Sequence, residues 1–230
     1  MNFTAEAPAR VGVLISGRGS NLGALIDAAR APGFPARIAI VISNRADAGG
    51  LEIAAGAGIA TAVIDHNGFD GRETFEDALT AALEGAGVDI VCNAGFMRLL
   101  TENFTDRWRD RQLNIHPSLL PAYKGLHTHE RALADGDRIA GCTVHVVREE
   151  MDEGPIVAQA AVPVLPGDDA DSLAARVLAA EHRLYPHALA LFASGGARVV
   201  AERVEIADRA GGDAPPTLYV PEVEGPVAEG

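Results

Sequence analysis

Apolar residues fall along this chain in two alternating rhythms. Short Val/Ile-rich runs at 11–16, 37–43, 61–64, 89–93 and 112–115 are nearly continuous, as in parallel strands buried on both faces. Between them, Ala/Leu-rich stretches at 21–30, 48–57, 71–84 and, shorter, 102–108 read as helices. This alternation predicts an α/β fold: an open, mostly parallel, Rossmann-like sheet with helices on both faces. After residue 126 the rhythm changes. A helix at 128–135 precedes strands at 140–148 and 156–164, joined by the loop EEMDEG, which predicts an antiparallel hairpin appended to the sheet. A long helix at 169–193 follows, with Leu173, Val177, Leu184 and Leu189 on its apolar side. Pro186 should kink it, because proline removes an intrahelical hydrogen bond.

No repeat or linker divides the 230 residues, and 48% hydrophobic content is ample for one core, so a single domain is expected. Charged residues make up 22%, an ordinary share that argues against wholesale disorder. The formal net charge of −13 argues against a nucleic-acid partner, which needs a basic face. Any anionic ligand must then be held by a local site. No apolar run reaches the roughly 18 residues of a membrane span. The N-terminal MNFTAEAPAR lacks the basic-then-apolar layout of a signal peptide, so a cytoplasmic location is expected. Cys92 and Cys142 form no CxxC pair and read as reduced core cysteines.

The first strand runs directly into Ser16-Gly17-Arg18-Gly19-Ser20-Asn21 and a helix. Unpaired backbone N–H groups at such a turn carry the positive end of the helix dipole and suit an anion. The plainer reading is a strand–helix turn with Ser20 or Asn21 as N-cap. A dinucleotide site fits poorly. Leu22 stands where the third glycine belongs, and Ser43-Asn44-Arg45 replaces the acid expected after the second strand.

The stretch NIHPSLLP is richer in chemistry. Strand alternation puts Asn114 and His116 on one face near the carboxyl end of the fifth strand, where ligand crevices of open α/β sheets form. Both side chains can donate to a developing oxyanion; a hydrogen-bonded core histidine is the plainer alternative. Asp152, in the turn Met151-Asp152-Glu153-Gly154-Pro155, is the candidate carboxylate to raise the histidine pKa. Its alternative is a turn aspartate bonded to its own backbone. His127 and His129 lack the spacing of a shared metal face, so no metal is expected and both read as helix-start residues beside the site. His145 lies on a strand whose alternation could aim it at the same cleft.

SGRGSN, AGFMRLL, NIHPSLLP, GLHTH and MDEGP keep an order and spacing, over about residues 11–186, that resembles the glycinamide ribonucleotide formyltransferase family. The resemblance implies the formyltransferase fold over 1–230, with a phosphate-binding half at about 10–110, a folate and catalytic half at about 111–200 and a loosely packed acidic tail at about 211–230. It implies transfer of a formyl group from 10-formyltetrahydrofolate to the amine of glycinamide ribonucleotide, in de novo purine biosynthesis. Asn114, His116 and Asp152 match the family's catalytic residues. Gly19, Ser20 and Asn21 match its phosphate loop, and Glu181 the acid at the ribose end. The pterin is expected along Met97, Arg98, Leu99 and Leu100, beside Asn114, and against the loop Arg148, Glu149, Glu150, Met151 and Asp152. Arg72 matches a folate-side arginine.

Two departures stand out: Cys92-Asn93 where two aliphatic residues are expected, and Ala122-Tyr123-Lys124 in a loop that often reads Lys-Tyr-Pro. The expected chemistry is direct attack by the glycyl amine, with Asn114 and protonated His116 on the oxyanion and Asp152 keeping the histidine charged. A 10-formyltetrahydrofolate hydrolase and, from another class, a non-catalytic nucleotide- or folate-binding protein are the alternatives. A monomer and a homodimer are both compatible with the sequence.

Overall fold

The computed structural model describes residues 2–207, so the acidic tail expected at 211–230 lies outside the described residues. The chain runs β1 (Ala9–Ile15), α1 (Ser20–Ala29), β2 (Ala36–Ser43), α2 (Gly50–Gly56), β3 (Ala60–Val63), α3 (Arg72–Gly85), β4 (Ile90–Asn93), α4 (Glu102–Arg107) and β5 (Gln112–His116). It continues through α5 (Thr128–Ala134), β6 (Ile139–Val146), β7 (Ile156–Pro163), α6 (Ala170–Ala193), β8 (Ala197–Val200) and β9 (Arg203–Ile206). Seven strands form one sheet in the order β3-β2-β1-β4-β5-β6-β7. Pairings among the first five strands are parallel, whereas β6 joins β5 and β7 antiparallel. The predicted fold is the observed one. The separate β8–β9 hairpin and a single 3₁₀ turn at His66–Gly68 were not expected from the sequence.

Period-two alternation sorts the strands onto two cores. Val11, Val13, Ile15, Cys92, Leu113, Ile115 and Val144 face one cluster, together with Leu22 and Leu25 of α1 and Leu173, Val177 and Leu189 of α6. On the opposite face, Leu14, Ile42 and Val91 pack with Phe75, Leu79 and Leu83 of α3 and with Phe104 and Trp108. That second cluster stops at β4. On β5 and β6 the positions alternating with the first core are Gln112, Asn114, His116, Thr143 and His145, and they pair across the strands as Asn114 with His145 and His116 with Thr143. The end of apolar cover on one face is what makes room for a polar site.

The long helix α6 opens with a capping box: Asp169 accepts from the Ser172 N–H at 2.8 Å, and the Ser172 hydroxyl accepts from the Asp169 N–H at 3.0 Å. Pro186 is buried within it, and the helix continues past it to Ala193. From the middle of α6 the fully buried Tyr185 reaches into the sheet. Its hydroxyl lies 3.0 Å from the Asn93 carbonyl and 3.1 Å from the Leu113 carbonyl, so one proton is shared between the neighbouring strands β4 and β5. Tyr185→Phe takes that donor from two buried acceptors and is expected to lower stability by about 1–2 kcal/mol. Urea unfolding measures this; an unchanged midpoint would show that the hydroxyl contributes nothing.

Candidate active site

From β1 the chain turns toward β2, while β4 pairs with the other edge of β1, so the connections leaving β1 and β4 diverge. Such a switch point opens a crevice at the carboxyl ends of the strands. The glycine loop lines it. Gly19, at φ 79°, is the N-cap of α1, and no side chain caps the helix, so neither Ser20 nor Asn21 does so. The first paired amide of the helix is that of Gly23, which donates to the Gly19 carbonyl at 2.9 Å. Among the described residues the Ser20, Asn21 and Leu22 N–H groups have no acceptor, which leaves the positive end of α1 open to an anion. A Cβ on Gly19 would stand 2.5 Å from the Gly50 Cα, so both the left-handed turn and the close approach require glycine.

The Asn21 side chain turns inward instead of capping. Its amide donates to Glu181 of α6 at 2.7 Å, while its Oδ1 is buried without a partner. Burial pushes the Glu181 carboxyl up, and the Asn21 hydrogen bond works against that. The two residues matched to opposite ends of one substrate are thus in direct contact.

Segment 94–101, which carries Met97, Arg98, Leu99 and Leu100, is held at both ends. Ser16 Oγ donates to Asn44 at 2.6 Å and accepts from the Met97 N–H at 2.8 Å. At the other end the buried Glu76 of α3 accepts from the Thr101 N–H at 3.0 Å and from the Thr101 hydroxyl. Between these anchors Met97 is 70% and Leu99 59% exposed, an unusual display of apolar surface beside a crevice. The polar Asn93 at the end of β4 is matched by Gln112, whose amide donates to it at 3.0 Å, which accounts physically for that departure. Both cysteines are buried and unpaired as expected, and burial pushes their thiols up to about 12. Arg72 opens α3 on the surface, with no polar partner among the described residues.

The strand pair β5–β6 and the loop after β6 bring Asn114, His116, His145 and Asp152 together. Asn114 Nδ2 lies 3.1 Å from His145 Nε2. Asp152 stands between the two histidines, 3.4 Å from His116 Nδ1 and 3.6 Å from His145 Nε2, and its Oδ2 also accepts from the Gly125 N–H at 2.9 Å. His116 Nε2 lies 2.9 Å from the Tyr123 carbonyl, so this nitrogen carries a proton. His145 Nδ1 faces the Val146 carbonyl at 3.2 Å, which leaves Nε2 to accept from Asn114. Asp152, Tyr123 and His127 all have positive φ, a backbone cost that surrounding contacts must sustain. Asp152 therefore bonds across to another loop, not to its own turn.

The His116 shift runs opposite to the direction expected from the carboxylate alone. Burial depresses its pKa, and neither the Tyr123 carbonyl nor Asp152 fully offsets that, so the imidazole is held below the ordinary histidine value. Burial likewise pushes Asp152 up, but its hydrogen bonds and the nearby imidazoles outweigh it and the carboxyl lies below its usual range. A carboxylate neighbour can be read from sequence, whereas desolvation exists only in the folded site.

Other expected contacts sort by geometry. The Arg148 guanidinium is occupied by Asp110 at 2.6 Å and Glu202 at 2.8 Å. Glu149, Glu150 and Met151 are exposed at the loop tip. His127 is the N-cap of α5 and His129 lies in its first turn. Sequence reasoning missed the support beneath the site. Thr143 donates to the Ser118 carbonyl at 2.7 Å and accepts from the Leu120 N–H at 3.0 Å, and Gln159 bonds Thr143 at 2.9 Å. Polar residues at facing positions of adjacent strands were the available signal.

Because the folded site resists a proton that the unfolded chain accepts, stability is expected to fall as pH drops through the ordinary histidine value. An NMR titration should place the His116 midpoint below that value, and His116→Gln should flatten the acid-side loss of stability. A midpoint above it would mean that Asp152 dominates.

Residues 9–189 match the family described as formyl transferase. The human trifunctional purine biosynthetic protein adenosine-3 is 53% identical over 81% of this chain, which spans 18% of that protein. The Drosophila pseudoobscura protein of the same name is 54% identical, and the chain spans 14% of it. Phosphoribosylglycinamide formyltransferase of Escherichia coli is 48% identical over 80% of this chain and 86% of its own length. Among solved structures, glycinamide ribonucleotide transformylase 1 from Symbiobacterium toebii superposes with a TM-score of 0.85 at 50% identity, covering 87% of this chain and 95% of that one. Phosphoribosylglycinamide formyltransferase from Brucella melitensis gives 0.79 at 60% identity, covering 82% and 97%.

Proposed function

The chain belongs to the formyl transferase family, and from that premise we propose that it moves the formyl group of 10-formyltetrahydrofolate onto the amine of glycinamide ribonucleotide, a step of purine biosynthesis. The observation that carries this reading is the grouping of Asn114, His116 and Asp152 at the sheet mouth, on a chain whose α1 N-terminus is open to a phosphate.

In this reading the phosphate binds the free Ser20 and Asn21 amides at the Gly19 turn, and Glu181 with Asn21 receives the ribose. The folate lies against Met97, Leu99 and Met151, whose exposed apolar side chains would cover its ring, with Arg98, Leu100 and Asn114 alongside. Arg72 contributes at the folate side. The glycyl amine attacks the formyl carbon, its nitrogen becomes cationic, and the carbonyl electrons move to oxygen. The Asn114 amide donates to that oxyanion, and His116 joins it when its Nε2–H exchanges the Tyr123 carbonyl for the oxyanion while Nδ1 stays with Asp152. Developing negative charge next to His116 works against burial and favours the imidazolium, with Asp152 as its counter-ion. The amine proton then passes by way of this pair to the departing folate nitrogen, and the C–N bond to folate breaks. Holding both substrates in one crevice contributes several kcal/mol to the rate, so no covalent enzyme intermediate is required. Arg148 acts on this scheme through its backbone, its guanidinium being bound elsewhere.

Formyl release from 10-formyltetrahydrofolate should depend on added glycinamide ribonucleotide; release without it would make the enzyme a hydrolase. His116→Ala and Asp152→Asn should melt near the parent protein and lose about 100- to 1000-fold in turnover. Near-normal turnover in either would remove that residue from the mechanism.

A further inference from the structure

The described residues include six non-glycine positions with positive φ, a conformation that L residues avoid. Tyr123, His127 and Asp152 border the site. Of the other three, Asp110 at 55° and Glu202 at 59° both bind one side chain, the guanidinium of Arg148, and Ala201 at 46° immediately precedes Glu202. Arg148 Nη2 donates to Asp110 at 2.6 Å and Nε to Glu202 at 2.8 Å, and the other Glu202 oxygen accepts from Arg109 at 2.6 Å.

Ala201 and Glu202 form the two-residue connection of the β8–β9 hairpin, with Val200 opposite Arg203. Positive φ at both turn positions matches the twist of the strands, but the residues suited to it are asparagine and glycine. Ala-Glu is an unfavourable choice on backbone grounds. What glutamate supplies is the side chain. A lone exposed ion pair contributes little, but the Arg148 side chain is only 10% exposed, so its charge needs both carboxylates. The hairpin itself is fixed: Val199 and Val204 pack on the main core, and the Ala207 N–H donates to the Gly196 carbonyl at 2.8 Å.

Arg148 stands where the β6 ladder ends, just after Val147, whose N–H donates to the Gln112 carbonyl at 2.9 Å. The chain then runs through an exposed tip to Asp152. We propose that Glu202 is a positioning residue: through Arg148, the tip of the β8–β9 hairpin holds the 148–152 loop so that Asp152 faces His116. For its activity readout this rests on the transferase reading.

The test compares the full chain with E202Q, E202G and R148M. Steady-state transfer from 10-formyltetrahydrofolate to glycinamide ribonucleotide is measured with hydrogen exchange at the Gly125 amide, which donates to Asp152. E202Q should melt near wild type, lose about tenfold in kcat because the loop is displaced, keep its KM for the ribonucleotide, and exchange faster at Gly125. E202G relaxes the turn yet should lose as much turnover, which separates the side chain from the backbone. The R148M/E202Q double variant should fall no lower than R148M, as expected of residues acting along one route. Wild-type kcat in E202Q overturns the proposal, as does a loss confined to E202G. Should the wild-type chain transfer nothing, the functional reading fails, and Gly125 exchange alone decides: faster in E202Q supports the strut, and unchanged overturns it.

Discussion

The alternation of β5 is the constraint on which the rest depends. Within five residues one face must fill an apolar core, with Leu113 and Ile115, and the other must present Gln112, Asn114 and His116. A strand manages this only while its register is fixed, since a slip of one residue exchanges the faces. Here the register is fixed from both sides. β4 pairs with it in parallel, β6 antiparallel, and the Tyr185 hydroxyl spans the carbonyls of Asn93 and Leu113 from the core side. Stability and site geometry are therefore one problem at this strand.

The site then draws on segments far apart in the chain. The free end of α1 comes from the first crossover, the apolar loop from the turn after β4, the Asn–His pair from β5, and the carboxylate from the turn between β6 and β7. Parallel crossovers deliver the first three to one edge of the sheet as a matter of topology. Asp152 arrives differently. The antiparallel return of β6 beside β5 carries the chain back along the site, and the loop before β7 closes over it, where the Gly125 amide fixes the carboxylate.

Much of this was legible in the sequence. The parallel strands were readable because they are buried on both faces, and Asn114 with His116 because two positions apart on a strand means one face. What was not legible depended on tertiary contact. The β8–β9 hairpin escaped because its strands are four residues each and its turn, Ala201-Glu202, lacks the usual asparagine or glycine. Of the two readings of the glycine loop, the side-chain N-cap fails for Asn21 because it has a distant partner in Glu181, 160 residues along the chain. The direction of the His116 shift was not legible because burial is a property of the folded site and outweighs the neighbouring carboxylate. The pairing of the Arg148 guanidinium escaped because its partners, Asp110 and Glu202, lie on either side of it at long range.

The double anchoring of segment 94–101 has a consequence for affinity. A loop that presents Met97 and Leu99 to water while tied by Ser16 at one end and Glu76 at the other has given up its conformational freedom during folding. On the proposed reading, a flat aromatic ring bound there would incur little further entropy loss, so the contact area would translate into affinity more fully than on a mobile loop. The unfavourable display of apolar surface on this loop is the counterpart of that preorganisation.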